Sequence, residues 1–190
     1  MDAVAVSDPA ELDRGSHCLV LVGAPGAGKS TLSRAVAGRL TRAAVFSGDD
    51  LNRMIVSGWV FALAEPRDEA ERQVDLTLAN LVALARNFMA AGFTPVIETI
   101  FATRGRFDAL RDAFGDRLLL VVLDVDDATC RARNRGRPER EQFVFDGHAE
   151  LRRTMQAAFG DRGWWLDTSG QSVQESTELI LTQAVRRARC

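Results

Sequence analysis

The sequence predicts an α/β domain of three layers, in which helices cover both faces of a five-stranded parallel sheet. Five short apolar runs alternate with segments whose apolar residues recur at helical spacing, as repeated strand–helix units require. A glycine-rich loop follows the first run, and an arginine-rich segment follows the fourth. The 190 residues, 46% of them apolar, suffice for one such domain.

The predicted strands are apolar at nearly every position, which is typical of strands buried on both faces of a parallel sheet. They occupy residues 17–22, 43–46, 94–97, 118–123 and 164–166. The predicted helices occupy residues 30–40, 50–57, 68–91, 104–114, 127–133, 146–159 and 172–189. In such a sheet ligands bind beyond the carboxyl ends of the strands, so the residues after each run are the candidate site.

Residues 1–16 show no periodicity, and we expect a flexible leader there, followed by a single domain over residues 17–190. Acidic and basic residues nearly balance, at 26 and 24, which argues against a nucleic-acid partner. No apolar run approaches the roughly 20 residues of a membrane span, and the three cysteines are isolated. We therefore expect a cytoplasmic protein without a membrane partner. The sequence carries no indication of its oligomeric state.

Residues 23–30 fit the pattern Gly-x-x-x-x-Gly-Lys-Ser between a buried strand and a helix, which predicts a phosphate-binding loop. Lys29 is the only lysine in the chain, and we expect it to neutralise the β- and γ-phosphates. The Ser30 hydroxyl is the expected Mg²⁺ ligand. The predicted nucleotide contacts of this loop are Gly23, Ala24, Pro25, Gly26, Ala27, Gly28, Lys29, Ser30 and Thr31. Switches, motors and kinases share this loop, so it predicts nucleotide binding and no particular reaction.

Carboxylates follow the second and third predicted strands. Asp49 and Asp50 open a helix, where one could accept the proton of an attacking hydroxyl and the other could cap the helix. Glu98 ends the third strand and could hold magnesium-bound water, a substrate hydroxyl or an arginine. The acids of residues 124–127 fit helix capping, and we expect no chemistry from them. Backbone groups around Thr168, after the last strand, could contact a nucleotide base.

The arginine-rich segment comes directly after a predicted helix and is interrupted by glycine and proline. Its members are Arg131, Arg133, Arg135, Arg137 and Arg140. Such a charge run could be a solvated face. In a chain with a phosphate-binding loop, a mobile lid that places positive charge against the transferred phosphoryl group explains it better. We expect the acceptor pocket within residues 52–71 and 143–155, with Trp59 as the candidate aromatic surface.

Together these motifs resemble the small P-loop kinases of the P-loop NTPase superfamily, especially chloramphenicol phosphotransferases and the 5′-kinase domain of polynucleotide kinases. The resemblance implies a five-stranded parallel sheet, ATP with Mg²⁺, and phosphorylation of a hydroxyl. By position it makes Asp49 the general base. Asn52 stands where polynucleotide kinases have an arginine and Arg53 comes one place later, so Asp50 remains an alternative base. Gly48 replaces the arginine before the base, which argues against a nucleic-acid substrate.

Arg137 and Pro138 resemble the lid Arg-Pro pair of shikimate kinases, which implies a γ-phosphate contact for Arg137 and stacking of Arg133 on adenine. The acidic substrate pattern and the Gly-Gly pair of that family are absent, which argues against shikimate. The catalytic candidates are thus Asp49, Lys29 and Arg137. The substrate-binding candidates are Asp50, Arg53 and Glu98.

The leading expectation is an ATP-dependent phosphotransferase that acts on a hydroxyl of a small molecule, such as an antibiotic, a nucleoside or a sugar-like alcohol. A polynucleotide 5′-hydroxyl kinase is one alternative. A nucleotide-binding regulatory ATPase without a second substrate is the other. An acceptor-dependent reaction that needs Asp49 would separate the kinases from the ATPase.

Overall fold

A computed structural model describes residues 12–139 and 142–190 of the chain. Residues 1–11 of the predicted leader and Arg140 of the predicted lid lie outside the described residues.

The five strands form one parallel sheet, as predicted, in the order β2-β3-β1-β4-β5. They are β1 (Cys18–Gly23), β2 (Ala43–Ser47), β3 (Thr94–Thr99), β4 (Leu118–Leu123) and β5 (Trp164–Leu166). β1 is central and pairs with β3 and β4, so the residues that follow these three strands meet at one edge of the sheet.

Seven α-helices connect and flank the strands within the described residues. They are α1 (Lys29–Ala37), α2 (Gly48–Arg53), α3 (Arg67–Ala90), α4 (Arg104–Phe114), α5 (Asp127–Arg135), α6 (His148–Phe159) and α7 (Val173–Arg187). A short 3-10 turn, Gly115–Arg117, leads into β4. None of the helices in residues 12–139 and 142–190 combines the length and the apolar character of a membrane span.

The core has two halves, one on each face of the sheet. Leu19 and Leu21 of β1 pack with the apolar faces of α1 and α7. The intervening Val20 and Val22 pack with α3, α4 and α6 on the opposite face. Each fully buried aliphatic side chain contributes roughly 2 kcal/mol to folding, so this alternation fixes the register of the central strand. The predicted three-layer α/β/α class is thereby confirmed.

The packed part of the described chain begins before the first strand. Leu12 is fully buried, and its carbonyl oxygen accepts a hydrogen bond of 3.0 Å from the Thr94 hydroxyl. The backbone N–H of Gly15 donates to the same hydroxyl oxygen at 3.2 Å. The sequence places residues 12–16 in the leader because a single apolar side chain creates no periodic pattern.

Helix α2 is shorter than the predicted 50–57 and ends at Arg53. The N–H groups of Met54 and Ile55 bond to carbonyls three residues back, which tightens the last turn and ends the helix. Residues 54–66 therefore form a long connection to α3. The predicted capping by the acids of residues 124–127 is confirmed for Asp126, which accepts from the N–H of Thr129 at 2.8 Å.

Candidate active site

The loop after β1 holds Lys29 by its own carbonyl groups. Lys29 Nζ donates to the carbonyl oxygens of Gly23 at 2.9 Å and Ala24 at 3.1 Å. Burial lowers the pKa of Lys29 to about 8, and the charges of Glu98 and Asp49 act in the opposite direction. The predicted cation therefore lies in the loop, in the field of both predicted carboxylates.

Glycine lets this loop lie directly on helix α5. Gly26 has φ +86°, and a Cβ atom there would lie 2.6 Å from the carbonyl oxygen of Cys130. A side chain at this position would push the loop away from α5. Cys130 therefore contacts the loop through its backbone carbonyl group. Its side chain is buried, and burial raises the pKa of the thiol. Thr31 is exposed in the first turn of α1.

Ser30, in the first turn of α1, pairs with Glu98, near the carboxyl end of β3. Leu21 of β1 lies opposite Glu98 of β3, and the Ser30 hydroxyl donates to Glu98 Oε1 at 2.9 Å. Mg²⁺ prefers hard oxygen ligands and takes one or two protein groups together with phosphates and water. Among the described residues no cluster of three acids, histidines or cysteines could hold a metal. The Ser30–Glu98 pair is the donor set that fits Mg²⁺ bound with a nucleotide.

The two neighbouring aspartates have different environments. Ser47 caps α2, because its hydroxyl accepts from the N–H of Asp50 at 3.4 Å, so the idea that an aspartate caps this helix is wrong. Asp50 forms an exposed ion pair with Arg53 at 2.7 Å. Asp49 is exposed and makes no hydrogen bond or ion pair within the described part of the chain. Of the two carboxylates, Asp49 is the one left free to accept a proton.

Gly48 brings Asp49 close to the end of β3. Ser47 lies opposite Glu98 in the sheet, and a Cβ atom on Gly48 would lie only 2.6 Å from the Thr99 hydroxyl oxygen. Any larger residue would have to displace Thr99 or the start of α2. The departure from the arginine of polynucleotide kinases therefore has a steric reason in this chain.

Arg133 joins the phosphate-binding loop to the loop after β5. Its guanidinium donates to the carbonyl oxygens of Ala27 at 3.1 Å and Thr168 at 2.7 Å. Thr168 is buried, and its hydroxyl has no hydrogen-bond partner in the described structure. The two contacts are made by Nη1 and Nη2 at the edge of the planar guanidinium.

Arg137 lies beyond the end of α5, in the segment predicted to be a lid. Its guanidinium carbon is 5.2 Å from the centre of the Phe143 ring, a cation–π contact, and its charge contributes to the lowered pKa of Lys29. Asn134 donates to the carbonyl oxygen of Phe143 at 2.8 Å, so residue 143 folds back on α5. The structure thus places Arg137 within electrostatic reach of Lys29 and against Phe143.

His148 is a site residue that the sequence did not reveal. It is the first residue of α6, its side chain is only 7% exposed, and its Nε2 donates to the carbonyl oxygen of Pro25 at 3.0 Å. Its Nδ1 lies 3.0 Å from a carboxylate oxygen of Asp127. A lone histidine has no spacing pattern, so no sequence signal could have connected it to a loop 123 residues away.

The cavities coincide with the predicted acceptor pocket only in part, mainly through residues 143–155. One cavity, of about 730 Å³, lies between α3 and α4 beside Glu71, Asp75 and Arg106, and Glu71 is its one lining residue from the predicted acceptor pocket. A cavity of about 150 Å³ lies beside Ala24 of the phosphate-binding loop and is also lined by His148 and Trp165. Proximity to the loop, rather than size, makes the smaller cavity part of the candidate site.

The fold and this loop define a P-loop nucleotide-binding domain. The chain belongs to a family of AAA domains, whose family model matches residues 19–161. No curated protein matches the chain at significant similarity.

Solved kinase structures share the fold at low sequence identity. An unliganded sugar kinase from Janibacter sp. is 19% identical, with 87% of this chain and 92% of that chain covered and a TM-score of 0.61. The APS kinase of Mycobacterium tuberculosis, solved with AMPPNP and APS, is 17% identical, with coverage of 87% and 95% and a TM-score of 0.61. Shikimate kinase from Acinetobacter baumannii, solved with shikimate, is 16% identical, with coverage of 92% and 95% and a TM-score of 0.61. The resemblance to small P-loop kinases is therefore confirmed for the fold.

Proposed function

We propose that this protein transfers the γ-phosphoryl group of Mg·ATP to a hydroxyl group of a small molecule, with Asp49 as the general base. The observation that carries the proposal is the position of Asp49. It is an unpaired carboxylate whose charge reaches Lys29 and whose helix begins beside Glu98. A switch or motor does not need a free base at this position, whereas transfer to an alcohol does.

The proposed reaction is a single displacement at the γ-phosphorus. The acceptor oxygen forms a bond to phosphorus while its proton moves to the Asp49 carboxylate. The bond from the γ-phosphorus to the bridging oxygen breaks, and that oxygen leaves with the electron pair as part of ADP. Lys29 neutralises the charge on the phosphate oxygens during this step. Ser30 and Glu98 would hold Mg²⁺, which supplies further neutralisation of the phosphates when bound.

Arg137 and Arg133 complete the proposed site. Arg137 is exposed over Phe143, and we propose that it exchanges this contact for the γ-phosphate when the segment after α5 closes. Such closure would also exclude water, which competes with the acceptor alcohol for the phosphoryl group. Arg133 is already fixed by two carbonyl groups and would present a flat face to the adenine ring.

The test is ADP release from Mg·ATP with a panel of hydroxyl compounds, comparing wild type with Asp49→Asn and Asp50→Asn. The panel contains aminoglycosides, neutral aromatic alcohols, nucleosides, sugars and a 5′-hydroxyl oligonucleotide. We expect one class of small molecule to accelerate release. Asp49→Asn should lower kcat by about a hundredfold or more, as loss of a general base does. Asp50→Asn is the matched control, and kcat should stay within about threefold because Asp50 is paired with Arg53.

Other outcomes would change the assignment. Acceleration by the oligonucleotide alone would establish the polynucleotide kinase instead. Slow hydrolysis that no compound accelerates and that Asp49→Asn leaves unchanged would establish the regulatory ATPase. Equal loss of kcat in the two variants would contradict the role of Asp49 as the base.

A further inference from the structure

The connection between α2 and α3 carries an unusual concentration of exposed apolar side chains. Five of the eight large apolar residues that are exposed in the described structure lie within residues 54–63. They are Met54, Val56, Trp59, Phe61 and Leu63, with exposed fractions of 70%, 95%, 51%, 53% and 63%. Residues 54–64 contain no charged residue, in a chain in which 26% of residues are charged. We call residues 54–63 the apolar segment. Such a concentration of exposed apolar side chains in one segment is typical of a binding surface.

Two hydrogen bonds to a buried glutamine hold the middle of the apolar segment in place. Gln73 of α3 is 8% exposed, its Nε2 donates to the carbonyl oxygen of Gly58 at 2.7 Å, and its Oε1 accepts from the N–H of Val60 at 2.8 Å. The two bonds flank Trp59, whose ring makes an edge contact with Phe61 at 6.2 Å between centroids. The apolar side chains are thus presented on a fixed backbone, which reduces the entropy lost when a ligand binds.

The apolar segment is continuous with the helix that carries the proposed base. Helix α2 is six residues long, and five residue steps separate Asp49 from Met54. At about 1.5 Å per step the segment starts roughly 7 to 8 Å from Asp49 along the helix axis. The Thr77 hydroxyl donates to Asn52 Oδ1 at 2.5 Å and fixes the end of α2 to α3. A small molecule can span this distance, with its hydroxyl at Asp49 and its body on the apolar segment.

We infer that the acceptor is an uncharged alcohol with an aromatic or acyl body, which the apolar segment binds. This inference rests on the proposed function and adds the chemical class of the acceptor. An anionic acceptor would need a free cation here, and Arg53, at the end of α2, is already paired with Asp50. A polyol would need polar partners, which an uncharged run of mostly apolar side chains does not supply.

Binding is tested without turnover through the fluorescence of Trp59. Of the three tryptophans, Trp164 is 4% exposed and Trp165 is half-buried, so acrylamide quenching reports mainly on Trp59, and Trp59→Phe gives the background. The probes are 4-phenyl-1-butanol and N-octanoyl-ethanolamine, with glucose and gluconate as the polyol and the anion. In the presence of Mg·ADP, we expect at least one of the two apolar alcohols to halve the quenching constant. Glucose and gluconate should leave it unchanged.

Turnover is tested with the same four compounds in the ADP-release assay. Phe61→Ser should raise the KM for an apolar alcohol about tenfold. Leu76→Ser, an equally exposed leucine on α3 outside the apolar segment, is the matched control and should leave that KM unchanged. Both residues are exposed, so neither change removes core packing.

The outcomes separate the inference from the proposed function. Protection of Trp59 by an apolar alcohol, when neither this alcohol nor any compound of the hydroxyl panel accelerates ADP release, would overturn the proposed function and leave the binding site standing. Phosphorylation of glucose or gluconate while Trp59 remains quenchable would overturn the inference and leave the kinase standing. Failure of both apolar alcohols to protect Trp59 overturns the inference. The inference would also be overturned if Trp59 became less quenchable with rising protein concentration in the absence of ligand and sedimentation showed a dimer. A second copy of the chain would then cover the apolar segment.

Discussion

Replacing His148 by glutamine or by asparagine should separate its two contacts. Glutamine places an amide N–H near the position of Nε2 and can keep the bond to the Pro25 carbonyl. Asparagine places its N–H near Nδ1 and can reach only Asp127. Comparing the two variants therefore shows which of the two contacts supports nucleotide binding.

The expected effect follows from the geometry of the peptide bond between Pro25 and Gly26. In a trans peptide the C=O and the next N–H point in opposite directions. Fixing the Pro25 carbonyl toward α6 therefore aims the N–H of Gly26 away from α6, as one of the loop's donors to phosphate. Loss of a buried hydrogen bond with its acceptor left unsatisfied costs about 1 to 3 kcal/mol. If half of that cost falls on the nucleotide complex, about 0.5 to 1.5 kcal/mol, the KM for ATP rises roughly twofold to thirteenfold.

The measurement is kcat and KM for ATP in the two variants, with thermal unfolding as the control for stability. We expect His148→Asn to raise the KM for ATP while kcat changes less, and His148→Gln to stay close to wild type. If His148→Asn retained wild-type KM and His148→Gln lost it, the contact to Asp127 would be the important one and the argument from the loop peptide would fail. Equal losses in both, matched by equal falls in Tm, would reduce His148 to a packing residue.

Three further predictions concern the loop and its neighbours. Gly48→Ala should lower the free energy of unfolding, measured in urea, by about 1 to 3 kcal/mol, because its Cβ would lie 2.6 Å from the Thr99 hydroxyl oxygen. Adding Thr99→Ala should restore part of the lost stability. If it restored none, the clash would be refuted. ATP affinity, measured by calorimetry, should fall as the pH rises above about 8. Burial lowers the pKa of Lys29 to about 8, and only the protonated side chain carries the charge that binds phosphate. An ATP affinity that stayed constant from about pH 8 to 10 would contradict this. Arg133→Lys should raise the KM for ATP about tenfold, because an ammonium lacks the planar edge that bonds two carbonyls; an unchanged KM would show that the bridge to Thr168 is dispensable.

The sheet and the phosphate-binding loop were predictable because their signals are local. A strand buried on both faces must be apolar at nearly every position, and residues 118–123 are apolar at all six. The loop requires glycines, Lys29 and Ser30 at fixed spacing. Asp49 was predictable as a residue at a strand end, and the family resemblance favoured it as the base, with Asp50 as the alternative.

What the sequence could not supply is the choice of hydrogen-bond and ion-pair partners, both between neighbours and between residues far apart in the chain. The distinction between Asp49 and Asp50 depends on the ion pair of Asp50 with Arg53 and on Ser47 as the cap. The roles of His148 and Gln73 depend on hydrogen bonds to backbone atoms. Every residue has these backbone atoms, so the residue type of the partner does not indicate the bond. Helix α2 was predicted too long because its end is set by 3-10 bonding rather than by a glycine or proline.

The single lysine has a consequence for labelling the protein. The one ε-amine of the chain is held by the Gly23 and Ala24 carbonyls, so acylation of a lysine side chain can take place only in the phosphate-binding loop. Because its pKa is about 8, a substantial fraction of this amine is already the nucleophilic free base at mildly alkaline pH. Bound nucleotide would both cover the amine and favour its protonated form. The extent of acylation at Lys29, measured by mass spectrometry with and without Mg·ATP, would therefore give the fraction of nucleotide sites that are occupied. This measurement needs no knowledge of the acceptor.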